Sequence, residues 1–501
     1  MGHPLAEFTH GEVKKSSFLA RQKFGIFIDG HESATERYYP VIDPATGLEI
    51  AQVADASAGD ADRAIASARQ TFESDPWAGM RPATRERLLI NLAQLIEKHG
   101  DELAAIETLE SGKLLGVAKA IDVGSASEYV RYMAGWATKI TGSTLDLSIG
   151  FPPGVAYSGY TRREAVGVVA AIVPWNFPLA IAIWKLAPAL ACGCTVVLKP
   201  AQETPLTALR LAELVMEAGF PAGALNVLTG SGSEVGEALT RHLGIDKISF
   251  TGSTSVGKQI AHAAADNLSR VTLELGGKSP MIVMADMEAD VAAQGAAMSI
   301  FFNQGQVCTA ASRLFVQRSK IDEVVERLST IANAMKLGSG FDPESQMGPL
   351  ISQRHMQRVM AHIEEAKQAG GEVTAGGCTE FDRGYFVRPT VFINTSAAMR
   401  INQEEVFGPV VTVTPFDEAE EAIQLANDSA FGLAASIWTH DLHQAHRFIP
   451  KIKAGMVWVN THNMLDNNLP LGGVKQSGFG RDLGHSAIEQ FTELKSVCIA
   501  Y

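Results

Sequence analysis

The sequence predicts an α/β chain with a doubly wound parallel-sheet domain, a second α/β domain and a small β element. Three observations carry that expectation. From Val166 to Leu275, continuous Val, Ile and Leu runs alternate with amphipathic stretches, the pattern of buried parallel strands covered by helices. A second alternation of the same kind follows Cys308. Thr141 to Tyr160 sets short extended runs around Pro152, Pro153 and Gly154, which reads as a hairpin standing off the main body.

At 501 residues the chain exceeds one core, so two or three domains are expected. Residues 1–20 read as a loosely held polar arm. Phe24 to Asp29 and Tyr38 to Ile42 read as edge strands, and Asp43 to Gly47 as a turn. Asp60 to Phe72 is an expected helix with alanines and Ile65 on one side. Pro82 and Thr84 open a longer helical stretch that breaks near Gly100, with Leu88, Leu92, Leu95 and Ile96 as its apolar stripe.

In the first α/β region the predicted strands are Val166 to Val173, Thr195 to Lys199, Leu225 to Thr229, Lys247 to Thr251 and Val271 to Leu275. The helices between them fall near Ile181 to Leu190, Leu206 to Ala218, Ser233 to Leu243 and Thr254 to Ala264. In the second region the strands include Ser312 to Gln317, Val410 to Phe416, Ala434 to Trp438 and Gly455 to Asn460. Its helices include Ile321 to Met335, His355 to Ala369 and Ala419 to Ala426. The tail after Gly484 closes on an extended run, Lys495 to Tyr501.

Composition narrows the function classes. The chain is 46% hydrophobic and 19% charged, as globular proteins are. A net charge of −13 without a Lys/Arg block argues against nucleic acid and anionic membranes as partners. An odd number of cysteines in a long chain, with no disulfide framework, points to a reducing compartment. There is no CxxC pair and no HExxH, so no metal site is expected. Cys192 and Cys194 lie in an apolar stretch and read as packing. The N-terminus lacks the apolar core of a signal peptide. Ala165 to Leu198 is apolar except for Asn176 and Lys185, but Pro174, Pro178 and Pro188 cut it into pieces shorter than a span. A cytoplasmic location, without membrane contact, is the expectation.

One segment stands apart chemically. Cys308 follows Asn303, Gln304, Gly305 and Gln306 and precedes Thr309. A thiolate beside a glycine turn could attack a carbonyl carbon, and its own N–H could hold the oxyanion. By itself a lone cysteine is more often packing. Gly252-Ser253-Thr254-Ser255-Val256-Gly257 follows a predicted strand and opens a helix, a place for phosphate. It lacks the second glycine of the dinucleotide fingerprint. Gly230-Ser231-Gly232 is a second glycine turn. Spacing alone would make Glu274, 22 residues after Gly252, a ribose-binding acid. Asn176, Lys199, Glu274 and Glu405 each sit at a strand end or turn, where a doubly wound sheet binds its ligands.

Together these segments resemble the aldehyde dehydrogenase superfamily, from about Phe24 to Tyr501. The matching stretches are PWNFPL from Pro174, LKPAQETPLTA from Leu198, FTGSTSVG from Phe250, LELGGKSP from Leu273, FFNQGQVCTA from Phe301, EEVFGPV from Glu404 and LPLGGVKQSGFGR from Leu469. The resemblance implies that Cys308 is the nucleophile, that Asn176 and the Cys308 N–H hold the oxyanion, and that Glu274 is the general base. It implies NAD as cofactor, with Lys199 at the adenosine ribose, Ser253 at the pyrophosphate and Glu405 at the nicotinamide ribose beside Phe407. Val173, Pro174, Trp175, Gly230, Gly252, Gly257 and Leu275 would complete that binding surface. The family commonly has Glu where this chain has Gln202, which leaves NADP possible.

The resemblance also implies a cofactor-binding domain of residues 1–140 and 161–273, and a catalytic domain of residues 274–476. Residues 141–160 and 477–501 would be oligomerisation elements, giving a homotetramer or dimer. The positions matching the family's substrate tunnel are Phe177, Trp184, Val307, Thr309, Asn463, Leu465 and Leu471. None is charged, so an anionic semialdehyde lacks a partner there. Leu465 and Leu471 are poor walls for a quaternary ammonium cage. An apolar or arylalkyl aldehyde fits best, and VNTHNMLDNNLPLGG and KSVCIAY look most like the bacterial branch that oxidises phenylacetaldehyde. Other readings are a medium-chain aldehyde or aminoaldehyde as substrate, a CoA-acylating enzyme, and a non-catalytic relative. Retention of Glu274, and of all three catalytic positions, weighs against the last two.

Overall fold

A computed structural model of the chain describes residues 16–501. Its framework is two large sheets and two small ones. The first large sheet orders eight strands as Gly478–Phe479, Arg270–Glu274, Lys247–Thr251, Val168–Ile172, Thr195–Lys199, Leu225–Val227, Ile26–Ile28 and His31–Ser33. The strands from Arg270–Glu274 through Leu225–Val227 are parallel, and all five lie within two residues of where the apolar runs put them. Val168–Ile172 pairs with Lys247–Thr251 on one side and Thr195–Lys199 on the other. The strand order reverses there, which opens a crevice past the strands' C-terminal ends.

Helix Pro178–Cys192 packs beside that crevice, and every residue in it except Trp184 is buried. Pro188 lies inside this helix, as it does in the expected helix near Ile181 to Leu190, and does not break it. The lost N–H bond is one among many in an otherwise apolar, fully packed helix, which stops at Gly193 (φ 94°). Helix Ala58–Glu73 starts from a capping box, with Ser57 Oγ accepting from the Asp60 N–H and Asp60 accepting from the Ser57 N–H. The long helical stretch is two helices, Pro82–Lys98 and Gly100–Ser111. Its buried stripe is Leu89, Leu92, Ala93 and Ile96; Leu88 and Leu95 are only half-buried. The expected helix from Ser233 is a wide turn, Gly232–Gly236, followed by a short helix, Glu237–Arg241.

The second large sheet orders seven strands as Glu372–Ala375, Thr390–Ile393, Val410–Phe416, Arg313–Gln317, Pro280–Val283, Ala434–Trp438 and Met456–Val459. Only its first pair is antiparallel. Three of these strands carry too little signal in the sequence: Glu372–Ala375, Thr390–Ile393 and Pro280–Val283. Each has four residues, and Pro280–Val283 follows directly on a glycine-rich motif. Helix Ala289–Phe301, which leads to the cysteine segment, was hidden by alanines that give little amphipathic contrast.

Several expectations about the N-terminal part change. Residues 1–15 of the expected polar arm lie outside the described residues. Phe18 and Leu19 are buried, with the Phe18 ring 4.7 Å from that of Phe24, so this part of the arm is docked. Ile26–Ile28 is no edge strand, because it pairs with Leu225–Val227 and with His31–Ser33. Arg37–Asp43 is an edge strand, folded onto Leu48–Asp55 around the Asp43–Gly47 turn. The expected hairpin forms between Thr144–Leu145 and Tyr157–Ala165, and the second strand also pairs along its length with Thr492–Ala500. Cys192 and Cys194 are buried, as packing requires. Among the described residues no helix is long and apolar enough to cross a membrane, and no group of side chains could hold a metal ion.

Candidate active site

A cleft of about 1000 Å³ opens at the C-terminal ends of the parallel strands and continues to the cysteine segment. It is large enough for an extended ligand. Val173, Pro174, Trp175, Asn176, Lys199, Gly252, Ser253, Glu274, Leu275, Cys308, Glu405 and Phe407 all line it. Residues far apart in the chain therefore share one wall. Gly257 and Gly230 stand behind that surface. A Cβ on Gly257 would sit 2.5 Å from Leu275 Cδ2, and one on Gly230 (φ 133°) 2.7 Å from Asp55 Oδ1. Gln202 is exposed and outside the cleft wall; the wall carries Glu203 instead, with its Oε1 3.9 Å from Arg354 Nη2.

The cysteine segment is tightly bent. Asn303, Gln304 and Gly305 take φ values of 48°, 59° and 70° in succession. Two of the three are not glycine, so the turn stores on the order of 1–3 kcal/mol per residue that its surroundings must offset. Those surroundings are visible. Asn303 Nδ2 donates to Asn176 O at 3.1 Å, and Gln306 Oε1 accepts from the Ile351 N–H at 2.9 Å. A Cβ on Gly305 would lie 2.1 Å from Gly408 O, so the turn presses directly on the segment that follows Glu405. Cys308 emerges half-buried. Burial, then Glu405 and Glu274, push its thiol up to about 12, against the pull of the Thr309 and Cys308 N–H groups.

Asn176 reaches the same place from the turn after Val168–Ile172. Its Nδ2 donates to Gln306 O at 3.0 Å, while its buried Oδ1 has no partner. One amide hydrogen is thus spent on holding the cysteine segment, and one is left for a ligand oxygen.

Glu274 ends its strand buried, and its Oε1 has no hydrogen-bond partner among the described residues. Burial, and then the charge of Asp482, hold its carboxyl well above the usual range; Lys185 and Arg481 oppose this. Lys185 Nζ donates to Asp482 Oδ2 at 2.5 Å, in a buried pair. The sequence reading missed this group, although Lys185 was the odd charge in an apolar run and Asp482 follows the matched segment ending at Arg481. The electrostatics give a signed expectation. Asp482→Asn removes a negative charge and leaves Lys185 facing Glu274, so Glu274 ionises more easily. The acidic limb of the rate–pH profile then moves to lower pH, and an unmoved limb would detach Asp482 from Glu274.

At the other end of the cleft, Lys199 Nζ donates only to Pro200 O, at 3.1 Å, and burial lowers it to about 8. Ser253 caps helix Thr254–Asn267, which points its N-terminus into the cleft. Glu405 accepts from the Gly277 N–H at 3.0 Å, and burial raises it to about 7. Phe407 (φ 58°) packs edge-on to Trp175 at 5.2 Å, and its carbonyl is 2.7 Å from His355 Nε2. His355, which also lines the cleft, was not singled out from sequence.

The positions predicted for substrate lie outside this cleft wall. Phe177 is half-buried, its ring stacked on Phe302 at 6.3 Å, with Lys113 Nζ 4.2 Å from the ring centroid. Lys113 is buried between Glu107 and Asp122, so no free charge faces that ring. Val307, Thr309 and Leu471 are buried, Trp184 is half-buried on its helix, and Leu465 is exposed. Thr309 Oγ1 donates to Asn463 Oδ1 at 2.7 Å.

A doubly wound sheet and a helix N-terminus at an elongated cleft that also holds Cys308, Asn176 and Glu274 define a dinucleotide-binding type of α/β protein. Comparison with known proteins makes the class specific: the model of the aldehyde dehydrogenase family matches residues 31–497, and the chain belongs to that family. Phenylacetaldehyde dehydrogenase of Pseudomonas fluorescens is 54% identical over 464 residues, 92% of each chain. The structure is similar to that of the NAD⁺ complex of aldehyde dehydrogenase from Bacillus cereus, with a TM-score of 0.94, 46% identity and 98% of each chain covered. It is also similar to betaine aldehyde dehydrogenase from Staphylococcus aureus in complex with NAD⁺, with a TM-score of 0.93, 39% identity and 98% and 96% of the two chains covered.

Proposed function

We propose that this aldehyde dehydrogenase uses NAD to oxidise an arylalkyl aldehyde, phenylacetaldehyde first among them, through a thioester on Cys308. The observation that carries the substrate reading is the Phe177–Phe302 stack, beside a lysine already paired with carboxylates. The 54% identical relative named for phenylacetaldehyde supports the same choice.

The residues present fit NAD. Gly232 has nothing within 4 Å of where a Cβ would stand, so the backbone there is open to a ligand, and the capped helix beside it offers N–H groups to a pyrophosphate. Lys199 and Glu203 would hold the adenosine ribose, and Glu405 the nicotinamide ribose. When bound, NAD supplies the hydride acceptor and, oxidised, a positive charge near Cys308. The Cys308 thiol gives up its proton to solvent water in the open cleft, and its sulfur attacks the aldehyde carbon. The Asn176 hydrogen left free and the Cys308 N–H hold the oxyanion. After oxidation, the orphaned Glu274 Oε1 takes a proton from the water that hydrolyses the thioester.

Steady-state NADH formation tests the substrate reading, with phenylacetaldehyde, benzaldehyde, hexanal, succinate semialdehyde and betaine aldehyde. A kcat/KM lead for phenylacetaldehyde is expected; a lead for either charged substrate overturns the reading. Cofactor choice follows from Glu203. Its carboxylate on the cleft wall repels a 2′-phosphate even though Gln202 does not. Glu203→Gln is expected to raise relative kcat/KM for NADP about tenfold, the scale of one partly exposed charge contact. An unchanged NAD/NADP ratio would remove Glu203 from that role.

The division into a cofactor-binding part (1–140 and 161–273), a catalytic part (274–476) and oligomerisation elements (141–160 and 477–501) belongs to the same proposal. Exposed Leu494 and Ile499 on the small sheet, with exposed Phe151 and Tyr501 just outside its strands, support assembly of the chain into a homotetramer. Free cysteines support a reducing, cytoplasmic setting.

A further inference from the structure

The loop after Met456–Val459 grips the residue that follows Cys308. Asn460 and Asn463 turn this loop with φ values of 55° and 61°. Between them His462 is buried, its ring 4.8 Å from that of Trp458. His462 Nδ1 lies 2.9 Å from Ser436 Oγ, and Nε2 lies 2.8 Å from Thr309 O.

These contacts determine the tautomer. Trp438 Nε1 donates to Ser436 Oγ at 3.2 Å, and an indole nitrogen only donates. A serine oxygen can accept twice, so the deciding contact is Thr309 O, which requires the ring proton on Nε2 and leaves Nδ1 to accept from Ser436 Oγ. The ring proton stays on Nε2 and is donated to Thr309 O, which only accepts. Burial lowers the imidazole to about 4, so it is neutral at working pH. Asn463 completes the grip: it accepts from Thr309 Oγ1 at 2.7 Å and donates to Ser299 O at 3.2 Å. Thr309, the residue bonded to Cys308, is thus held by both its carbonyl and its side chain.

We propose that His462 is a positioning residue for the nucleophile: its neutral imidazole holds the Thr309 carbonyl and so fixes the backbone that carries Cys308. The inference rests on Cys308 as the nucleophile. Glu405 and Glu274 also act on that thiol, and both oppose its ionisation. The Thr309 N–H works against them, so loosening Thr309 makes the thiolate harder to form.

Alkylation of Cys308 by iodoacetamide, followed by peptide mass across the range of thiol ionisation, reads this without needing turnover. In His462→Phe, Cys308 is expected to react about tenfold more slowly at neutral pH, with its profile moved to higher pH. Cys378 and Cys498 are exposed and serve as internal controls. kcat is expected to fall while KM for NAD holds. In His462→Gln the side-chain amide can still donate to Thr309, so most of the reactivity is expected to return. An unchanged profile in His462→Phe, or a glutamine variant as slow as the phenylalanine one, overturns the proposal. Should His462→Phe fail to fold, Ser436→Ala decides. It removes the hydrogen bond to His462 Nδ1 and is expected to shift the profile the same way by less, and an unmoved profile there overturns the proposal equally.

Discussion

Cys308→Ala abolishes NADH formation from any aldehyde, by about 10⁴-fold or more, the scale on which removing a covalent nucleophile is felt. NAD binding survives, because Cys308 is one of many residues that line the cleft and the others stay in place. Calorimetric titration with NAD beside the steady-state assay separates the two. Turnover above that floor would sink the nucleophile assignment, and loss of NAD binding would show that the variant had lost its fold. The wild-type rate is expected to climb with pH. Burial, Glu405 and Glu274 hold the Cys308 thiol up at about 12 without ligand. Each unit of pH below that value reduces the thiolate about tenfold.

Glu274→Gln separates the two halves of the reaction. The first turnover still releases NADH, but hydrolysis of the thioester slows by about 10²–10⁴-fold, the usual worth of a positioned base. The trace is a burst followed by a slow phase, with the burst proportional to enzyme. The sign of the pH dependence follows from the environment of Glu274. Its carboxyl is held above the usual range by burial and by Asp482, and the base is the ionised form. Wild-type hydrolysis is therefore lost as pH falls through that raised value, and the glutamine variant lacks this limb. An unchanged steady-state rate would assign the base elsewhere.

Much of this arrangement is legible in the chain. The parallel strands of the first sheet are continuous apolar runs, because helices cover both faces, and their bounds fall where the runs end. Cys308, Asn176, Glu274, Lys199 and Glu405 sit in motifs that the fold gathers into one cleft. What the sequence hides is pairing and facing. Lys185 and Asp482 are 297 residues apart, and no local pattern joins them. After the strand ending at Lys199, side-chain direction depends on the turn, so the sequence could not show that Glu203 takes the cleft wall and Gln202 faces solvent. His462 carries no signal of its own in the sequence, and its value lies in contacts with Ser436 and Thr309 that the fold creates. Pro280–Val283 is too short to announce itself, yet it lies inside that sheet between two longer strands.

The most direct test of the account is to trap the intermediate. Glu274→Gln, mixed with NAD and phenylacetaldehyde and quenched in acid during the slow phase, is digested and mapped by mass spectrometry. The account predicts a phenylacetyl group on the peptide carrying Cys308, in an amount that matches the NADH burst. NADH release with Cys308 unmodified, or with the acyl group on Cys378 or Cys498, would contradict it.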